Sequence, residues 1–231
     1  MPSTNMLMLQ SVANGLGELK DEMVFVGGAV AELYADNPAV SEIRTTLDID
    51  CVIEISSKLH FFRLENNLRF KGFKNDTSIG APICRWIYNG IKVDIMPTES
   101  DVLGFSNRWY ESGFEHRISK ILPDGTRIFV FPSEYYLAAK FEAHNGRGGN
   151  DLRQSHDFED IIYLLDNCTN ILKNINGSKP KVKLYLKAEC QKLLENPNIT
   201  EGIESALPYG SGDSATDFIF ALFQSIADID S

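Results

Sequence analysis

Residues 44–55 read Arg44-Thr45-Thr46-Leu47-Asp48-Ile49-Asp50-Cys51-Val52-Ile53-Glu54-Ile55, and two acids interrupt what is otherwise an apolar run. The alternation predicts a strand over Asp48 to Ile55. Leu47, Ile49 and Cys51 point to one face, and Asp48, Asp50 and Val52 to the other. The two aspartates therefore leave the same face, about 6.6 Å apart along the chain. Acids on a strand that its neighbours mark as core call for an explanation, and the flanking sequence supplies one.

Upstream, Met23 to Val26 is a short apolar run closed by Gly27-Gly28, which reads as a buried strand ending in a glycine turn. Ala29 to Ala35 holds good helix formers, and Asn37-Pro38 stops it. Residues 1–22 read as a short amphipathic helix, with Met6, Leu7, Leu9, Val12 and Leu16 at helical spacing. Downstream, Arg85-Trp86-Ile87-Tyr88, Asn89-Gly90 and Ile91 to Met96 form a hairpin signal, because Asn-Gly takes the positive φ angles of a type I′ turn. Its second arm carries a third acid in Ile91-Lys92-Val93-Asp94-Ile95. Arg127 to Phe131 is another short strand. After Pro132 the character changes to helices at 133–144, 155–165, 183–194 and 214–226. Ser155 stands as N-cap of the second, with Asp157, Glu159 and Asp160 in its first turn. Strands before about residue 132 and helices after it predict an α+β fold: an α+β core over 1–131 and a helical region over 132–231.

If the Asp94 strand lies beside the Asp48/Asp50 strand, three carboxylates converge. Crowding them without a counter-charge is costly. Magnesium removes that cost, since it takes oxygen ligands from a few carboxylates and from substrate phosphates. A strand ending in Gly27-Gly28 and followed by a helix lets backbone N–H groups approach a phosphate. Together these parts can hold a triphosphate, two metal ions and an acceptor hydroxyl. The plainer readings stand beside this one. A Gly-Gly pair is commonly just a turn, and an Asp-x-Asp pair is commonly a solvated strand face.

Composition bounds the possibilities. The 231 residues are 43% hydrophobic and 23% charged, as in a folded globular protein. No apolar run approaches the ~20 residues that span a bilayer. No basic segment leads into a long apolar one at the N-terminus, so neither a signal peptide nor a membrane partner is expected, and the cytoplasm is the expected compartment. Cys51, Cys84, Cys168 and Cys190 form no Cys-x-x-Cys pair and read as free thiols. The formal net charge of −10 argues against a protein that coats long nucleic acids. It leaves room for a local basic groove.

The ordered set Val26-Gly27-Gly28, Arg44 to Asp50, and Val93-Asp94 resembles the DNA polymerase β nucleotidyltransferase superfamily. Leu137-Ala138-Ala139-Lys140-Phe141-Glu142-Ala143, then Arg147, then His156-Asp157-Phe158-Glu159-Asp160-Ile161 is similar to the AbiEii/AbiGii-type nucleotidyltransferase toxins. The resemblance covers roughly residues 20–167. It implies a mixed sheet with flanking helices, and C-terminal helices that close a nucleotide cleft. It also implies a reaction: a nucleoside monophosphate moves from a nucleoside triphosphate such as ATP to a hydroxyl, with release of pyrophosphate. Asp48 and Asp50 would bind magnesium, and Asp94 would complete the metal site and help deprotonate the acceptor. Gly27 and Gly28 would hold the triphosphate, with Arg44 as a further phosphate contact. Lys140 would meet phosphate, and Asp157 would steer it or a substrate group. Family members often carry arginine just before that aspartate. This chain has His156, so Arg153 or Arg147 would take that contact.

Each of these residues has an ordinary alternative. Lys140 on an apolar helix can snorkel to solvent; Asp157 and Asp160 can be first-turn acids; Arg44 and His156 can be solvated surface residues. Trp109-Tyr110 after Gly104-Phe105 reads as a base-stacking surface or as packing anchors. The lysines at 173, 179, 181, 183 and 187 read as an RNA-backbone contact or as a solvated face. The acceptor is an RNA 3′ end (tRNA among them), a protein hydroxyl or a small aminoglycoside-like compound. The rival classes are a non-catalytic nucleotide-binding module and a toxin acting beside a cognate antitoxin.

Overall fold

The computed structural model describes residues 2–38, 43–55, 57–98, 104, 106–147 and 151–230. Among these, helix α1 (Thr4–Leu16) begins at Ser3, whose hydroxyl accepts the Met6 N–H at 3.1 Å. Its buried stripe is Met6, Leu9, Val12, Ala13 and Leu16. A 3₁₀ segment (Gly17–Glu22) leads into strand β1 (Met23–Val26), all four residues of which are buried. That continuous burial fits a strand with neighbours on both sides. Strand β2 (Asp48–Ile53), helix α2 (Lys58–Phe70), the short β3 (Lys74–Asn75), β4 (Arg85–Tyr88) and β5 (Ile91–Pro97) follow. Helix α3 (Tyr110–Glu115), β6 (Ile118–Ile121) and β7 (Arg127–Val130) come next.

The strands form one seven-stranded mixed sheet in the order β3-β4-β5-β2-β1-β7-β6. β1 pairs antiparallel with β2 and parallel with β7, while β2 pairs parallel with β5. The β4–β5 hairpin turns at Asn89 (φ 49°) and Gly90 (φ 80°), the two positive values that a type I′ turn requires. In β2 the residues Ile49, Cys51, Val52 and Ile53 are buried, whereas Asp48 and Asp50 remain partly exposed.

After Pro132 come α4 (Ser133–Gly146), α5 (His156–Asn167), α6 (Ile171–Gly177), α7 (Pro180–Leu194), α8 (Ile199–Ala206) and α9 (Asp213–Ala227). Ser155 caps α5, its hydroxyl accepting the Phe158 N–H at 3.2 Å. Phe158, Ile161, Leu186, Ile203, Ile219 and Phe223 are fully buried in this helical part. The chain divides into two compact units, one formed by Met1–Val30 with Arg44–Pro132, the other by Ala31–Ile43 with Ser133–Ser231. A mixed α/β sheet unit and a helical unit are compatible with an α+β class. No described helix is long and apolar enough to cross a membrane.

Two expectations need correction. The segment after Gly27 is a 3₁₀ helix over Gly28–Tyr34. At seven residues it is long for this tighter winding, which commonly runs about three to four residues. Leu47 does not share the buried face of Ile49 and Cys51; it lies outside β2 and is 82% exposed. The Phe105 part of the Gly104-Phe105 stretch lies outside the described residues.

Candidate metal centre

Neighbouring parallel strands bring the three aspartates together. In the β2–β5 register Asp50 stands opposite Asp94, and Asp48 opposite Lys92. Asp48 and Asp50 are two apart on one strand and so share a face, and a directly paired residue projects to that same face. One ligand oxygen from each of Asp48, Asp50 and Asp94 lies within 4.8 Å of the other two. Asp94 is buried at 8% exposed, while Asp48 keeps a third of its side chain in solvent. The cluster is therefore half-sunk in the sheet and open on one side.

A cation that sequence reading did not single out already lies on this cluster. Arg85 pairs with Asp94 across the β4–β5 hairpin. Its Nε donates to Asp94 Oδ1 at 2.8 Å and its Nη2 to Asp94 Oδ2 at 2.7 Å, a two-pronged grip. The same Nη2 also donates to Asp48 Oδ2 at 3.2 Å, so one cationic nitrogen bridges two of the three carboxylates. The hydrogen bonds that Arg85 donates to Asp94 raise the Arg85 pKa above its ordinary value against the opposing effect of desolvation. The signal was available in the sequence: a two-residue turn at Asn89-Gly90 pairs Tyr88 with Ile91 and, counting back, Arg85 with Asp94.

Gly27 serves the cluster by being small. It follows β1, whose Val26 pairs with Asp50, and it has φ +74°. A β-carbon built there would collide with the Asp50 carboxylate, with Cγ at 2.8 Å and Cβ at 3.0 Å. The absence of a side chain at Gly27 thus leaves room for Asp50. Gly28 is buried at the start of the 3₁₀ segment. Arg44 lies in the segment leading into β2, and Asn5 of α1, 1% exposed, fastens that segment. Asn5 Nδ2 donates to the Arg44 carbonyl at 2.9 Å, and Asn5 Oδ1 accepts the Thr46 N–H at 3.0 Å. The Thr46 hydroxyl then donates to the Asp48 carbonyl at 3.1 Å. Cys51 and Cys84 border the acids. Desolvation first, and then the nearby carboxylates, raise both thiols, Cys84 to about 11, so they stay protonated.

Lys140 and Asp157 belong to the other unit. Lys140 on α4 does not snorkel: its side chain is 10% exposed, with Nζ 2.6 Å from Asp160 Oδ2 and 3.2 Å from Asp157 Oδ1. Asp157 and Asp160 are themselves buried, so they are more than solvated first-turn acids. Arg147 Nη1 reaches Asp157 Oδ2 at 2.6 Å, while Arg153 pairs with Asp151 and Glu201. Of the two arginines named as substitutes for the expected one, Arg147 is the one paired with Asp157. His156 is solvated and sits 3.3 Å from Glu159. His144 Nδ1 lies 2.7 Å from Ser155 Oγ, and desolvation lowers its pKa.

Trp109 is 1% exposed, which makes it a packing anchor and not a stacking surface. Of the lysine series, Lys187 donates to the Ile229 carbonyl at 2.8 Å and so ties α7 to the chain after α9. No protein-family model matches this chain, and no curated protein matches it.

The donor set fits a hard divalent ion. It offers only carboxylate oxygens, which are the ligands magnesium takes. The Arg85 nitrogen lying between Asp48 and Asp94 shows where positive charge is already stabilised.

Proposed function

We propose that this chain is a magnesium-dependent nucleotidyltransferase, transferring a nucleoside monophosphate from a nucleoside triphosphate to an acceptor hydroxyl and releasing pyrophosphate. The observation that carries the reading is the meeting of Asp48, Asp50 and Asp94 oxygens within 4.8 Å across two parallel strands. An Asp94 on the opposite sheet face would have removed it.

Asp48, Asp50 and Asp94 would hold the metal. Magnesium bound there supplies Lewis-acid stabilisation of the charge that develops on phosphoryl oxygens. The strand register fixes the backbone spacing of the acids before any substrate arrives. Asn5 and Thr46 position Asp48 through its own backbone. The resemblance to the polymerase β superfamily implies that Asp94 would also help deprotonate the acceptor hydroxyl. Gly27 keeps Asp50 in place by yielding its side-chain volume. The phosphate roles of Gly28, Arg44, Lys140 and Asp157 are those implied by the resemblance to the polymerase β superfamily. The burial of Lys140 is met by its two carboxylate partners.

For the acceptor, an RNA 3′ end follows from the same resemblance. The net charge of −10 favours a small cationic hydroxyl compound as the second reading. The test incubates the protein and Asp48→Ala with each α-labelled nucleoside triphosphate, magnesium, and either total bacterial RNA or aminoglycosides. Label entering RNA with the unsubstituted protein alone is the expected result. Label entering the amines would assign the small acceptor. Nucleotide binding with no transfer to either would overturn the enzyme reading in favour of a non-catalytic module.

A further inference from the structure

The cluster of three aspartates is not waiting empty-handed. Arg85 Nη2 lies 2.7 Å from Asp94 Oδ2 and 3.2 Å from Asp48 Oδ2, on the pair of oxygens that a cation shared by these two residues would use. Its Nε holds the remaining oxygen of Asp94 at 2.8 Å. A guanidinium is charged at every accessible pH, so it cannot leave this place by losing its proton. It can leave only by moving. Its side chain is 18% exposed and Asp48 is 33% exposed, so the pair borders solvent and has somewhere to go.

A divalent ion and a guanidinium nitrogen cannot share these oxygens at close range without strong like-charge repulsion. From this geometry we infer that Arg85 is a resident counter-cation, holding Asp48 and Asp94 in the metal-free protein and swinging away when a divalent ion enters. This rests on the reading of the three aspartates as a metal site and adds how that site is regulated. Metal-free protein keeps a compact cluster in which Arg85 balances one of the three negative charges, and metal affinity is reduced by the fraction of time in which Arg85 occupies it. The released guanidinium, still tethered to β4 beside the site, then offers five donors to an incoming phosphate group.

The test is a titration of the full chain with manganese alone, read by the paramagnetic signal of the free ion. It compares the unsubstituted protein, Arg85→Gln, Arg85→Lys and Asp48→Asn. If Arg85 competes, Arg85→Gln binds manganese more tightly, by roughly tenfold, because one competing occupant is removed. Arg85→Lys falls between, since it keeps the charge but loses the two-pronged grip. It also serves if Arg85→Gln folds poorly. A nitrogen-15 spectrum of the unsubstituted protein gives an independent readout. The Arg85 Nε–H resonance, assigned through Arg85→Lys, should be sheltered from exchange without metal and lose that shelter on adding magnesium. Unchanged or weaker manganese binding in both Arg85 variants, with binding still lost in Asp48→Asn, overturns the counter-cation role and leaves the metal site standing. Manganese binding by none of the proteins overturns both.

Discussion

Gly27→Ala separates two reasons for a glycine at that position. The backbone there has φ +74°, and a left-handed conformation costs an L-residue about 1–2 kcal/mol. The added β-carbon would also strike the Asp50 carboxylate, and rotating that side chain away costs about 0.5–1.5 kcal/mol more. Gly90→Ala isolates the first effect, because Gly90 has φ +80° and nothing within 4 Å of a β-carbon built on it. Urea denaturation should therefore show Gly27→Ala destabilised by about 1.5–3.5 kcal/mol and Gly90→Ala by about 1–2 kcal/mol. In an Asp50→Ala background the colliding carboxylate is gone. Only the β-carbon at position 50 remains, at 3.0 Å, a contact that a few tenths of an ångström relieve. The excess cost at Gly27 should then fall to near zero. A Gly27→Ala penalty that is the same in both backgrounds would refute the idea that Gly27 is small for the sake of Asp50. Its role would then lie in the backbone alone.

Lys140→Met should cost about 3–5 kcal/mol in chemical denaturation, because Asp157 and Asp160 stay buried after their shared cation is removed. Adding Asp160→Leu should recover part of that loss; no recovery would contradict the ion-pair explanation. Burial lowers the His144 pKa, with Lys192 acting in the same direction and Asp157 and Glu189 opposing it. The folded state therefore favours neutral imidazole. The stability this contributes is present above the ordinary histidine value of 6.5 and is lost as pH falls through the lower folded value. Thermal melts across that range should steepen downward on acidification in the unsubstituted protein and flatten in His144→Gln. An identical slope in both proteins would show that other groups set the acid response.

What sequence made visible, and what it hid, follows from which interactions are local. The β4–β5 hairpin is legible because Asn89-Gly90 supplies both positive φ values by itself, and β1 because four apolar residues run into a glycine. The Ser155 cap of α5 is legible for the same reason: donor and acceptor are three residues apart. Helix α2 is not legible, since Leu59, Phe62 and Phe70 are exposed while Leu64 and Leu68 are buried, which blurs its period. β6 is an edge strand whose Ile118 and Ile121 are exposed, so alternation marks it poorly. Pairing between elements lies further out of reach. The side-by-side placement of Asp50 and Asp94 is a conditional statement in sequence and a register in the structure. Asp160 as a partner of Lys140 needs the packing of α4 on α5, although its spacing of three from Asp157 places both acids on one helical face. Arg85 was within reach, because the turn that defines the hairpin also defines its register.

The most direct test of the metal-centred reading is anomalous diffraction from crystals soaked with manganese and a nucleoside triphosphate analogue that cannot be cleaved between its α- and β-phosphates. The expected result is a manganese peak coordinated by oxygens of Asp48, Asp50 and Asp94, with the triphosphate bound to the same ion and Arg85 off the Asp48–Asp94 pair. A triphosphate bound with no manganese at these aspartates, and Arg85 still bridging Asp48 and Asp94, would contradict it.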